Sequence, residues 1–135
     1  MELTTLMVLY VIMLAVFLAL DLVWLGVVAR GFYTRHLGRF FADKVKWSAA
    51  IVFYGLFVAG MLIFAVEPAL DRHSLLRATL FGSLYGLFTY ATYDLTNLAT
   101  VKDWPVAIVV VDMLWGVVLS GTVSLAGYIA ATRLL

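Results

Sequence analysis

The sequence predicts an all-α, polytopic integral membrane protein with four transmembrane helices in an antiparallel bundle. Three observations lead there. Hydrophobic residues make up 65% of the 135 residues and charged residues only 13%, against about half and about a quarter in soluble domains. Mean hydropathy is +1.08, and so apolar a small domain could not cover itself with polar surface in water. Four stretches reach the ~20 mostly apolar residues that a span needs: about 5–28, 47–66, 75–100 and 106–131. The length suits a single transmembrane domain, residues 1–135. There is no cysteine, which excludes a disulfide scaffold and cysteine-ligated zinc or iron–sulfur centres. A net charge of +1 gives nucleic acid nothing to bind.

The first stretch follows Glu2 without a basic leader, and its apolar run is too long for a signal peptide. The second begins at Trp47, and Pro68 after Glu67 is expected to close it. The third carries most of the polar residues. The fourth opens after Pro105, at a position where proline suits a first turn. The connections are 30–46, 67–74 and 101–105. The last two are short, so consecutive helices are expected as antiparallel neighbours.

Basic residues set the expected orientation. Arg30, Arg35, Arg39, Lys44 and Lys46 in loop one and Lys102 in loop three place six on one side; Arg72, Arg77 and Arg133 place three on the other. The positive-inside rule then puts loops one and three in the cytoplasm and both termini outside. Tyr33, Trp47 and Trp104 fall where a cytoplasmic aromatic belt is expected. Loop one alternates Phe32, Tyr33, Leu37, Phe40 and Phe41 with Arg35, Arg39, Lys44 and Lys46. That pattern suits a short interfacial helix on anionic lipid headgroups, or an ordinary positive-inside anchor.

Within the spans stand three carboxylates, each costing about 2.5–3.5 kcal/mol at a helix centre. Asp21 lies nine residues before Arg30, Asp94 eight before Lys102, and Asp112 eight after Trp104. At 1.5 Å per residue all three sit about 12 Å inside the same boundary. Tyr54, eight residues after Lys46, reaches the same level. Asp21 and Trp24 share a helix face, as do Asp112 and Trp115. Tyr90, Asp94 and Asn97 share one face of the third helix with Gly82, Ser83 and Gly86, while Gly116, Ser120 and Ser124 stripe the fourth. Small residues of this kind let helices approach closely.

A polar pocket is therefore expected in the cytoplasmic half, built from Asp21, Asp94, Asn97 and Asp112 with Tyr54, Tyr90, Tyr93, Trp24 and Trp115. Tyr54 or Tyr93 is expected within reach of a carboxyl, and the two tryptophans read first as packing. Loop one lies over the pocket mouth. The competing reading is that the aspartates only glue helices together. The segments Asp21-Leu-Val-Trp24 and Asp112-Met-Leu-Trp115 look alike on oppositely running helices, but two matched residues are better ascribed to chance than to an inverted repeat.

No lysine or arginine lies at the depth of the aspartates, so one or two of them are expected to carry a proton; protonating all three would bring the net charge to +4. Three occupants fit such a cluster: protons, a divalent cation held by the oxygens of Asp21, Asp94 and Asp112, or a cationic group from a lipid, a substrate or loop one. Glu67 is expected to face Arg72 or Arg77. His36 and His73 fall on opposite sides and read as solvated.

Several strings now fit together: Asp21-Leu-Val-Trp24, Phe32-Tyr33 with Leu37-Gly38, Phe53-Tyr54, the run Tyr90-Ala-Thr-Tyr-Asp-Leu-Thr-Asn-Leu-Ala-Thr100, and Asp112, Trp115 and Gly116 within residues 111–118. Together they resemble the bacterial membrane family called domain of unknown function 2177, over essentially the whole chain. The resemblance implies a small four-span protein of a bacterial inner (plasma) membrane. It implies no reaction. The leading functional expectation is a module that binds or transports a proton, a cation or a lipid headgroup. Lipid-modifying enzyme and accessory subunit of a larger complex are the alternatives. Membrane lipids are the expected partners, and a homodimer or larger complex is expected because four helices are few for a lone transport path.

Overall fold

The computed structural model describes residues 1–135. Long apolar runs leave backbone groups no partner but each other in lipid, and helix is the solution each run adopts. The order is α1 (Leu3–Val23) continuing into a π-helical turn (Trp24–Val28), α2 (Arg30–Leu37) with a short 3₁₀ turn (Gly38–Phe40), α3 (Trp47–Met61) with a second π-helical turn (Leu62–Val66), α4 (Glu67–Asp71), α5 (Leu75–Thr100) and α6 (Val106–Arg133). Three of these stretches are long and apolar enough to cross a membrane: Leu3–Val28, Trp47–Asp71 and Val106–Arg133. The fourth long helix, α5, matches them in length at 26 residues but not in apolarity, because threonines and tyrosines interrupt its leucines. Its threonine hydroxyls turn back on the helix. Thr79 donates to the Leu75 carbonyl at 3.1 Å, Thr89 to Tyr85 at 2.7 Å and Thr100 to Thr96 at 2.8 Å. Such hydroxyls weigh on a membrane helix less than their hydropathy implies.

Pro68 does not close the second span. The helix continues to Asp71, and Pro68 sits in the first turn of α4, where its missing N–H is not needed. The π-helical turn before it makes this continuation available: the Glu67 N–H reaches back to the Leu62 carbonyl. The reversals after α4 and α5 are tight, each with one left-handed residue, His73 (φ 50°) and Asp103 (φ 60°). Ser74 caps α5 by accepting from the Arg77 N–H at 3.1 Å.

The most extensive interface joins α5 to α6. They run antiparallel: Gly82 faces Ser124, Gly86 faces Gly116 and Ser120, and Gly121 faces Ser83. A methyl group on Gly86 would collide with the Gly116 carbonyl, so at this crossing only glycine lets the two backbones touch. α1 lies along α6 as well, with Met13 against Gly127 and Asp21 against Trp115. α3 joins through Tyr10, whose hydroxyl donates to the Gly55 carbonyl at 3.0 Å, and through Phe17, whose ring centre lies 5.5 Å from that of Tyr54 and 5.4 Å from that of Phe57. The half of the molecule toward loop two is filled by an apolar core that includes Leu9, Met13, Phe17, Met61, Val66 and Val123.

Loop one departs from expectation. Tyr33 and Leu37, one helical turn apart on α2, are buried with Ala29 against Trp104 and Ile108, while Arg30, Thr34 and Arg35 face outward. The Tyr33–Leu37 face of α2 is thus packed on the start of α6. Of the residues expected in the aromatic belt, Tyr33 and Trp104 are packed within the protein, 8% and 9% exposed, against 63% for Trp47.

Candidate functional site

Three helices deliver the three aspartates. Asp21 on α1 and Asp94 on α5 are buried, Asp94 completely; Asp112 on α6 is partly buried. Each of α1 and α6 carries a tryptophan one turn beyond its aspartate, and the helices run in opposite directions. The aspartate of one therefore lies near the tryptophan of the other. Trp115 donates its indole N–H to Asp21 Oδ1 at 3.1 Å. At the opposite corner Trp24 donates to the Tyr33 hydroxyl at 3.2 Å, and Tyr33 donates to Asp112 Oδ1 at 2.8 Å. The two indoles stack between these corners, centroids 4.4 Å apart and planes 9° from parallel. Trp24 and Trp115 are packing residues and hydrogen-bond donors at once. The two look-alike segments clasp each other, with Tyr33 inserted in one arm.

Asp94 comes from the other side of α6. Asp112 is its charged neighbour, and neither Asp94 oxygen has a hydrogen-bond partner. Two carboxylates offer only acceptors, so a bond between them requires a proton on one. Tyr33, outside the spans, is positioned as a donor to this pair. Burial holds its hydroxyl above the ordinary phenol range; the indole N–H of Trp24 opposes that shift, and Asp112 adds to it.

The remaining expected residues divide. Tyr90 lays its ring over Gly116, 6.0 Å from the Phe57 ring. Tyr93 stands edge-on to Trp104 at 5.9 Å, and Asn97 follows it one helical turn along α5. Tyr54 packs among Phe17 and Phe53. The carboxyl contact expected of Tyr54 or Tyr93 is made by Tyr33, because α2 folds inward and places its hydroxyl there first.

Asp21 also stands apart, turned toward the Trp115 indole. No three histidine or acidic side chains gather to hold a metal ion, so the divalent-cation site expected at Asp21, Asp94 and Asp112 is not assembled. Arg77, expected opposite Glu67, lies over the Phe81 ring at 4.7 Å and leaves its Nε unpartnered. Of the loop-one cations, Arg39 donates to the Asp103 carbonyl at 2.6 Å and lies over Phe40 at 4.8 Å, tying loop one to loop three. Arg35 donates to the Gly31 carbonyl at 3.3 Å. Lys44 and Lys46 are exposed.

A cavity of about 350 Å³ opens beside the carboxyl pair, lined by Phe53, Phe57, Thr89, Tyr90, Tyr93 and Asp112. It exists because the second span meets α5 mainly through its π-helical turn Leu62–Val66, at the other end of the molecule, and α3 stands off from α5 at the level of Asp112. Phe53 and Tyr93 are 48% and 54% exposed and form its outer rim. A second cavity of about 470 Å³ lies under loop one, lined by Leu25, Arg30, Tyr33, Thr34 and Phe41. Tyr33 thus touches one cavity and hydrogen-bonds to the carboxylate that lines the other. Its role had one signal in the sequence: Tyr33 and Leu37, four apart, are an inward-facing pair on an otherwise basic helix.

Long apolar helices, three of them long and apolar enough to cross a membrane, define a polytopic helical membrane protein. More narrowly, the chain belongs to the family described as predicted membrane protein DUF2177, whose model matches residues 6–129. No curated protein and no solved structure matches it.

Proposed function

We propose that this is a four-span protein of a bacterial inner membrane, with both termini outside and loops one and three in the cytoplasm. Its function is to take up a proton, or the cationic head of a membrane lipid, at Asp94 and Asp112. The observation that carries this reading is Asp94: completely buried, unpartnered, and set beside Asp112 beneath Tyr33. An ionised carboxylate left unpaired in such a place costs several kcal/mol. One proton shared between the two carboxyls removes that penalty and leaves a single negative charge. Intramembrane carboxyls that carry such a cost mark, by default, ion, proton or ligand sites. The apolar core toward loop two supports a site served from the loop-one side or from the bilayer, and not a path through the molecule.

A hydrophobic carbodiimide tests this, because it modifies protonated carboxyls in apolar surroundings. Purified protein in detergent at neutral pH is expected to gain one adduct by intact mass, mapped to Asp94 or Asp112. The double variant Asp94→Asn, Asp112→Asn is expected to gain none. An unlabelled wild type, or an adduct that persists in the double variant, would overturn the proposal.

A further inference from the structure

We infer that the cavity between α3 and α5 binds an alkylammonium group, primary or quaternary, presented by an amphiphile from the bilayer. The inference rests on the reading of Asp94 and Asp112 as a pair that keeps one negative charge. It adds what that charge is for.

The lining carries the argument. Four of the six residues around the cavity are aromatic, Phe53, Phe57, Tyr90 and Tyr93, and the one charged residue is Asp112. Aromatic faces are electronegative, and rings grouped around a carboxylate are the recognition chemistry of ammonium ions. The rings form a connected wall: Phe53 and Phe57 lie 5.4 Å apart and Phe57 and Tyr90 6.0 Å apart. Phe57, 4% exposed, is the back of the cavity. No lysine or arginine lines it to compete for Asp112.

The entrance points to the source. Phe53 and Tyr93 at the rim are flanked by Val52 and Leu56, which are 60% and 68% exposed, so the mouth opens on an apolar outer surface. An ammonium carried on an acyl or alkyl chain reaches Asp112 sideways from lipid, with its chain left against Phe53 and Tyr93. The cavity volume of about 350 Å³ accommodates the head and the first few methylenes, not a whole lipid. An anionic headgroup would meet the negative pair and be repelled.

Carbodiimide labelling of the Asp94–Asp112 pair reads occupancy, because an ammonium seated at Asp112 shields both carboxyls. Protein in maltoside micelles is labelled with added phosphatidylethanolamine, phosphatidylglycerol, tetramethylammonium chloride or an equal concentration of sodium chloride. Phosphatidylethanolamine is expected to slow labelling several-fold relative to phosphatidylglycerol. Protection by tetramethylammonium beyond that of sodium chloride would show that a free amine also enters. Phe53→Ala, on an exposed rim position, is expected to fold by circular dichroism and to lose the protection, read as the ratio of its own labelling with and without amine. Equal labelling in all four additions, or protection undiminished in Phe53→Ala, would overturn the ammonium site while leaving the carboxyl pair intact. Absence of labelling even without amine would overturn the carboxyl pair first, and the ammonium site with it.

Discussion

Asp94 meets no donor of its own, which decides what substitution there does. Asparagine keeps the shape and brings an N–H to Asp112, so Asp94→Asn is expected to melt close to wild type. On the proposed shared proton, Asp94→Leu removes the bond and strands the partner carboxyl, at a cost of about 1–3 kcal/mol. Thermal melts followed by circular dichroism separate the two; equal melting of the Leu and Asn variants would show that no bond joins Asp94 to Asp112. Tyr33→Phe strands both Trp24 and Asp112 and is expected to cost a similar amount, about 1–3 kcal/mol, at neutral pH. Its pH dependence has a definite sign. Burial keeps the Tyr33 proton on in the folded state at pH values where the unfolded chain, with an ordinary value near 10.0, releases it. The stability Tyr33 contributes is therefore complete below about pH 10 and declines as pH rises above it. Alkaline titration of the melting temperature is expected to fall less steeply in Tyr33→Phe than in wild type.

Among the elements, the α5–α6 crossing is the most sensitive to a single methyl. Gly86→Ala places a carbon against the Gly116 carbonyl, a backbone atom that cannot swing aside. Overpacking of this kind costs about 1–3 kcal/mol, and the same shift would pull Tyr90 and Asp94 away from α6. Melting of Gly86→Ala at the wild-type temperature would show that the helices are less closely packed than described. The small-residue faces behind this crossing were legible in the sequence, because helical spacing alone aligns Gly82 with Gly86 and Gly116 with Ser120. The common depth of the aspartates is an expectation that rests on a fixed rise per residue. Partner choice was not legible. Whether Asp21 meets Asp112 or Trp115 depends on how far each helix is rotated about its axis, and span boundaries carry no such information. The packing of Tyr33 and Leu37 on Trp104 and Ile108 was not legible either, because a basic loop with interleaved aromatics reads equally well as a lipid anchor. Pro68 misled for a related reason: a local rule for ending helices cannot anticipate a π-helical turn just upstream.

At the scale of the whole molecule, the site occupies the half nearest loop one, and the other half is apolar core. Orientation therefore decides which compartment the site serves. The chain has no cysteine, so single replacements report cleanly. Asp103→Cys in loop three is expected to resist an impermeant thiol reagent on intact cells, and Glu2→Cys to react; the reverse pattern would turn the site to the external face. α5 is the helix whose membrane crossing hydropathy alone argues least well, yet it carries Asp94 and forms one wall of the cavity. Its polarity is concentrated in back-bonded threonines and in the site itself, which fits a span whose apolarity is given up locally for a site. The sharpest test of a proton shared between Asp94 and Asp112 is the infrared spectrum of the protein in lipid at neutral pH. Wild type is expected to show the carbonyl stretch of a protonated carboxylic acid, and Asp94→Asn to lose or shift it. A wild-type spectrum without that band, or a band unchanged in both Asp94→Asn and Asp112→Asn, would contradict the shared proton.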